Sequence, residues 1–116
     1  MKIDIHSHIL PGIDDGARTL EESVQLVSEM AGWGFERITC TPHITKKFRN
    51  TQESIKEKFD MLSNAVSRKG LNIELRMSAE YRLNPETWPE ILAQNQLMPI
   101  EDQYILMEFP INDPSD

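Results

Sequence analysis

His6 and His8 are separated by one residue, at the end of the short apolar alternation Ile3-Asp4-Ile5. An alternation of this kind reads as a β-strand. Residues two apart on an extended chain project from the same face. Both imidazoles can therefore grip a single metal ion at the strand's end. Taken alone, such a pair reads equally well as two solvated histidines. The difference here is that further metal-type side chains recur at or just beyond the other predicted strand ends. Asp14 and Asp15 lie in the loop after the first strand. His43 follows the second in Cys40-Thr41-Pro42-His43, and Glu80 follows the third in Met77-Ser78-Ala79-Glu80-Tyr81. Glu108 ends the fourth in Leu106-Met107-Glu108-Phe109-Pro110. In a parallel sheet these ends lie on one side, so groups far apart in sequence converge. Glu108 is the hardest to read as a surface charge. A carboxylate between Tyr-Ile-Leu-Met and Phe-Pro is expected to be partly buried, and a buried charge is costly unless paired or metal-bound. Mixed imidazole and carboxylate ligands suit Mn²⁺, Fe or Zn²⁺, and the lack of cysteine ligands argues against a structural zinc site. Lys46, Lys47 and Arg49 follow His43. They can attract a phosphate or form a solvated basic loop.

The elements that must position these groups alternate along the chain. Strand one covers roughly residues 2–6, and Pro11-Gly12-Ile13-Asp14-Asp15-Gly16 is a turn-rich loop. Thr19-Leu20-Glu21-Glu22 has the pattern of a capping box. Leu20, Val24, Val27 and Ala31 form one helical stripe, ended by Gly32 and Gly34. Residues 37–41 read as strand two, stopped by Pro42. After a polar loop from Thr45 to Asn50, Thr51 caps a second helix. Its stripe is Ile55, Phe59, Leu62 and Val66, and its end is Gly70. Ile73, Leu75 and Met77 alternate as strand three. Asn84-Pro85 opens a short helical stretch with Trp88, Ile91 and Leu92. Residues 104–107 are a continuous apolar strand four, expected to be buried. The tail, residues 110–116, is turn-like. This order predicts an α/β fold of βα units on a parallel sheet. Four units are about half of an eight-unit barrel, which needs roughly 200 residues or more. The chain is then either a small open sheet or part of a larger barrel.

Composition removes several function classes. The formal net charge of −7 argues against nucleic-acid binding through a general basic surface. No apolar run is long enough to span a bilayer, and Met1 leads into the first strand without the basic and apolar regions of a signal peptide. The single cysteine, Cys40, cannot form an internal disulfide, which fits a reducing cytoplasm. It also lacks the Cys-x₅-Arg arrangement of a phosphocysteine phosphatase, since Lys46 stands where arginine would be needed. The chemistry expected of the chain therefore runs through metal and not through a thiolate.

The run His6-Ser7-His8-Ile9-Leu10-Pro11-Gly12-Ile13-Asp14-Asp15-Gly16-Ala17, with Thr41-Pro42-His43, Ala79-Glu80-Tyr81 and Glu108-Phe109, resembles the polymerase and histidinol phosphatase (PHP) superfamily. Within it the likeness is to bacterial manganese-dependent protein-tyrosine phosphatases encoded with capsule and exopolysaccharide genes. The resemblance implies a distorted (β/α)₇ barrel with up to three metal ions at the strands' C-terminal ends. It implies that His6, His8, His43, Glu80 and Glu108 are metal ligands, with Glu108 bridging. One aspartate of the Asp14-Asp15 pair should join them. Asp15 is preferred because the superfamily's aspartate commonly precedes a glycine. Lys46 and Arg49 become candidates for substrate phosphate.

The resemblance further implies Mn²⁺ as cofactor and phosphotyrosine on a protein tail, that of a tyrosine autokinase, as substrate. Hydrolysis would proceed by in-line attack of water on phosphorus. Family members supply further ligands beyond this length: a histidine, an Asp-x-His and a phosphate-binding arginine. Residues 1–116 are thus expected to be a partial PHP domain, the N-terminal half of the barrel. Such a half would tend to form a homo-oligomer and have little activity alone. The rival readings are another PHP phosphoesterase, such as a histidinol-phosphate phosphatase, an amidohydrolase-type barrel, and an inactive half-barrel. No candidate for a metal-bridging lysine appears at a strand end, which counts against the amidohydrolase.

Overall fold

The structure, a computed structural model, describes residues 1–83, 85, 88–93 and 97–109, the side chains of residues 90 and 91 excepted. Among the described residues, six strands and three helices follow in the order β1 (Lys2–Asp4), α1 (Leu20–Gly32), β2 (Phe35–Cys40), β3 (His43–Ile44), α2 (Gln52–Arg68), β4 (Glu74–Met77), β5 (Glu80–Arg82), α3 (Trp88–Ala93) and β6 (Leu106–Glu108). The strands form two three-stranded parallel sheets, ordered β1-β2-β4 and β3-β5-β6. They are two tiers of one layer. β2 runs on into β3 and β4 into β5 across two-residue breaks, and the backbone bonds Ser78 N–H to Cys40 O (2.8 Å) and Glu80 N–H to Pro42 O (2.9 Å) bridge the gap. One break lies at Thr41-Pro42, where proline has no N–H to give the ladder. The predicted α/β architecture, with parallel strands joined through helices, is therefore what the chain adopts.

The helical stripes bury one side of that layer. Val27 of α1 and Ile55, Leu62 and Val66 of α2 join Ile38, Cys40, Ala79 and Tyr81 in one apolar cluster. α1 and α2 contact each other as well as β2 and β4. Fully burying an aliphatic side chain of this size is worth about 1.5–3 kcal/mol, so this face holds the tiers together. Thr19 caps α1 by accepting from the Glu22 N–H at 3.1 Å. The reciprocal arm expected of Glu22 is replaced by a contact of its carboxylate with Arg18. The true capping box is on α2, where Thr51 and Ser54 exchange bonds.

Three expectations change. Strand one is shorter, since the backbone of His6 turns to donate to the Asp4 carboxylate at 3.0 Å. Strand two continues past Pro42 as β3. Strand four is shorter, Leu106–Glu108 paired with β5; among the described residues Tyr104 bridges Ile100 in antiparallel fashion, and Met107 is 39 % exposed. Ile3, Ile5, Met107 and Phe109 are exposed apolar side chains. Asn84 and the tail from Pro110 lie outside the described residues. Among the described residues no helix is long and apolar enough to cross a membrane.

Candidate metal centre

The imidazoles are aimed by the residue between them. Ser7 is buried. Its N–H donates to Thr41 Oγ1 at 3.0 Å and its hydroxyl to the Thr39 carbonyl at 2.8 Å, while its own carbonyl accepts from the Thr41 N–H at 2.8 Å. With Ser7 turned into the sheet, extended geometry turns His6 and His8 the other way. On the neighbouring tier the registers His43↔Glu80 and Arg82↔Glu108 bring side chains from β3, β5 and β6 to one side. Same-level partners in parallel strands share a face, and so do residues two apart.

All of the sequence-predicted ligands meet at this end. His6 Nε2 lies 2.8 Å from Glu80 Oε1, and His8 Nε2 lies 3.0 Å from the same oxygen. The two Nε2 atoms are 3.2 Å apart. His43 Nδ1 is 3.7 Å from Glu80 Oε1 and 3.4 Å from Glu108 Oε2, and its Nε2 is 3.4 Å from Asp15 Oδ1. The rings of His8 and His43 stack with centroids 4.4 Å apart. The donors fall into three overlapping groups: His6, His8 and Glu80; His43, Glu80 and Glu108; and His8, Asp14, Asp15 and His43. An ion about 2.1 Å from two cis ligands holds them about 3.0 Å apart. The spacings around Glu80 match that, so the donor set fits divalent cations. Glu80, and not Glu108, reaches all three imidazoles.

Lys46 and Arg49 are exposed on the loop after β3, where the Arg49 Nε–H folds back onto the Lys46 carbonyl at 3.2 Å.

The electrostatics describe a site held by protons that metal would replace. The His8 imidazole is pushed up to about 10, chiefly by its hydrogen bond to Asp14 and then by that to Glu80. Burial pushes Glu80 up, but hydrogen bonds involving His8, Glu108 and His6 outweigh it and hold Glu80 down at about 2. Glu108 is raised, first by burial and then by its hydrogen bond and repulsion with Glu80. The sign for stability follows. Protonated His8 stabilises the fold fully below 6.5, and this is lost as pH climbs towards about 10. Ionised Glu80 stabilises it above 4.5, and this is lost as pH falls towards about 2. Glu108, raised, softens the acid limb. In chelator, the melting temperature is expected to be highest between pH 4.5 and 6.5 and to decline on the alkaline side. Metal, which displaces the His8 proton, should remove that decline. Thermal melts across pH check this, and a metal-free protein that gains stability from pH 6.5 to 9 contradicts it.

Several contributors carried no clear sequence signal. Arg82 Nη1 donates to Glu108 Oε1 at 2.5 Å across β5 and β6. Asn50 Nδ2 donates to the carbonyls of Ile13 (3.0 Å) and His43 (2.8 Å), joining the two loops that flank the centre. Phe48 stacks on His43 with centroids 6.0 Å apart. Each depends on a partner five or more residues away, which periodicity and turn signals cannot pair.

Comparison with known proteins meets this geometry directly. Residues 2–116 match the family described as capsular polysaccharide synthesis, CpsB/CapC. The chain belongs to that family. It is 31% identical over 112 residues to the putative tyrosine-protein phosphatase CapC of Staphylococcus aureus, covering 96% of this chain and 44% of the relative. It is 32% identical over 112 residues to the tyrosine-protein phosphatase YwqE of Bacillus subtilis, covering 95% and 44%. The fold matches a chain from the crystal structures of YwqE from Bacillus subtilis and CpsB from Streptococcus pneumoniae, metal-dependent tyrosine phosphatases. The TM-score is 0.82 at 32% identity, over 93% of this chain and 44% of that one. This member of the CpsB/CapC family thus spans less than half the length of the curated relatives it matches.

Proposed function

We propose that the protein carrying this chain is a manganese-dependent phosphatase of phosphotyrosine on protein tails, acting in the cytoplasm in capsule or exopolysaccharide synthesis. The observation that carries the reading is the convergence of three imidazoles and two carboxylates on Glu80 Oε1 and its surroundings, in a chain of this family. The proposed ligands are His6, His8, Asp15, His43, Glu80 and Glu108, and Glu80, whose Oε1 lies nearest the three imidazoles, would be the carboxylate placed to serve more than one ion. The family resemblance implies up to three ions, and nitrogen–oxygen ligand sets of this kind suit manganese. Bound ions supply charge neutralisation at the phosphate and activation of water.

The chain's own residues do the rest. Ser7 and the β3–β5 register fix donor positions before substrate arrives, so little reorganisation is needed as charge develops. Arg82 holds one oxygen of Glu108 and leaves the other facing His43. Lys46, Lys47 and Arg49 offer positive charge on the exposed loop beside the site, suited to an acidic phosphopeptide and its autokinase tail. Cys40 supports the metal route by elimination. It is fully buried, and burial pushes its thiol up to about 12, so it is protonated at neutral pH and shielded from substrate.

The test is hydrolysis of p-nitrophenyl phosphate and a phosphotyrosyl peptide by the full-length protein. Activity should vanish in EDTA and return with Mn²⁺, while Cys40→Ala leaves turnover in place. Retained activity in chelator excludes the mechanism. Faster turnover of histidinol phosphate than of the phosphotyrosyl peptide moves the assignment to another PHP phosphoesterase.

A further inference from the structure

Asp14 makes three hydrogen-bond contacts within the site, and it is the carboxylate there that the ligand set does not use. Its side chain is 0% exposed. Oδ2 lies 3.1 Å from His8 Nδ1 and accepts the His43 backbone N–H at 3.0 Å. Oδ1 accepts the Gly16 N–H at 2.9 Å. One carboxylate therefore touches the ring of one proposed ligand, the backbone of a second, and the turn after a third, Asp15. Asp15, by contrast, is 65% exposed at its side chain, with Oδ1 turned towards His43 Nε2.

The geometry points to Asp14 as a positioning residue and not a metal ligand: it takes the Nδ1–H of His8, so that only Nε2 can bind metal, and it pins the start of β3 so that His43 faces the same ion. This inference rests on the metal-centre reading. A histidine that binds metal through one nitrogen and gives the other N–H to a carboxylate is fixed in tautomer and ring orientation and becomes a stronger donor. Three accepted bonds take up three of the about four lone-pair directions of a carboxylate, two on Oδ2 and one on Oδ1, and the 0% exposure of the side chain leaves little open approach for an ion at the fourth.

Zinc is the probe, because it is diamagnetic. In the Zn²⁺-loaded full-length protein, ¹⁵N ring shifts should show His8 bound through Nε2, with a strongly downfield proton on Nδ1. This needs no variant, so it stands whatever the fate of a mutant fold. Asp14→Asn should keep the number of ions per chain by calorimetry, weaken their affinity about 10–100-fold, and move the His8 Nδ1–H resonance upfield. Asp15→Asn should lose an ion. Three outcomes overturn the inference alone: His8 bound through Nδ1, one ion lost in Asp14→Asn, or an Asp14→Asn affinity equal to the parent's. Failure of the unsubstituted protein to bind Zn²⁺ or Mn²⁺ instead overturns the metal centre itself.

Discussion

Gly16→Ala is expected to unmake the site and cost the fold about 3 kcal/mol, a loss near 10 °C in melting temperature for a domain of this size, by rough proportion. A Cβ on Gly16 would lie 2.0 Å from the His8 carbonyl oxygen and 2.6 Å from His8 Cβ. Both are backbone or backbone-fixed atoms with no rotamer to escape into. The loop is drawn this close because the Ala17 N–H donates to the His8 carbonyl at 3.0 Å and the Gly12 N–H to the Ala17 carbonyl at 2.9 Å. Relieving the overlap must move His8 or lift the loop, and lifting the loop carries Asp14 and Asp15 away from the imidazoles. Metal affinity should therefore fall together with stability. Melting in chelator and calorimetric titration with Mn²⁺ read the two effects separately. A variant within about 2 °C of the parent, with unchanged affinity, would mean that the loop is not packed on His8 in solution.

The second large effect is on chemistry. Glu80→Gln in the full-length protein should lower kcat by about a thousandfold or more, since the proposed centre would draw several kcal/mol of charge stabilisation from the ions Glu80 would hold. Glu80 Oε1 stands 2.8 Å from His6 Nε2 and 3.0 Å from His8 Nε2, so the amide removes the one negative charge common to the imidazoles. Glu108→Gln should also lose activity by orders of magnitude, because Glu108 Oε2 faces His43 and its other oxygen is tied to Arg82. The ranking tests the geometry. A shared Glu80 predicts the larger loss of bound metal in Glu80→Gln, read by metal analysis after gel filtration. The reverse order would restore Glu108 to the bridging role that the family resemblance implied. Turnover near the parent's in both variants would remove the metal centre from the mechanism.

Much of this was legible in the chain alone. Apolar stripes at helical spacing placed α1 and α2, because burial of one helix face is a local pattern. The His-x-His pair, His43, Glu80 and Glu108 could be assigned to one end of a parallel sheet because strand ends are marked by local turn and proline signals. The tertiary structure decided what depends on partners distant in sequence. Pro42 interrupts the ladder without ending it, since Glu80 and Ser78 donate across the gap from another strand. The apolar run of strand four does not say which strand it joins; among the described residues it lies beside β5. Asp14 and Asp15 are indistinguishable as neighbouring carboxylates. Only the folded loop buries one beside His8 and His43, where it accepts three hydrogen bonds, and leaves the other 65% exposed with Oδ1 towards His43, since a carboxylate is desolvated at low cost only where its oxygens are hydrogen-bonded.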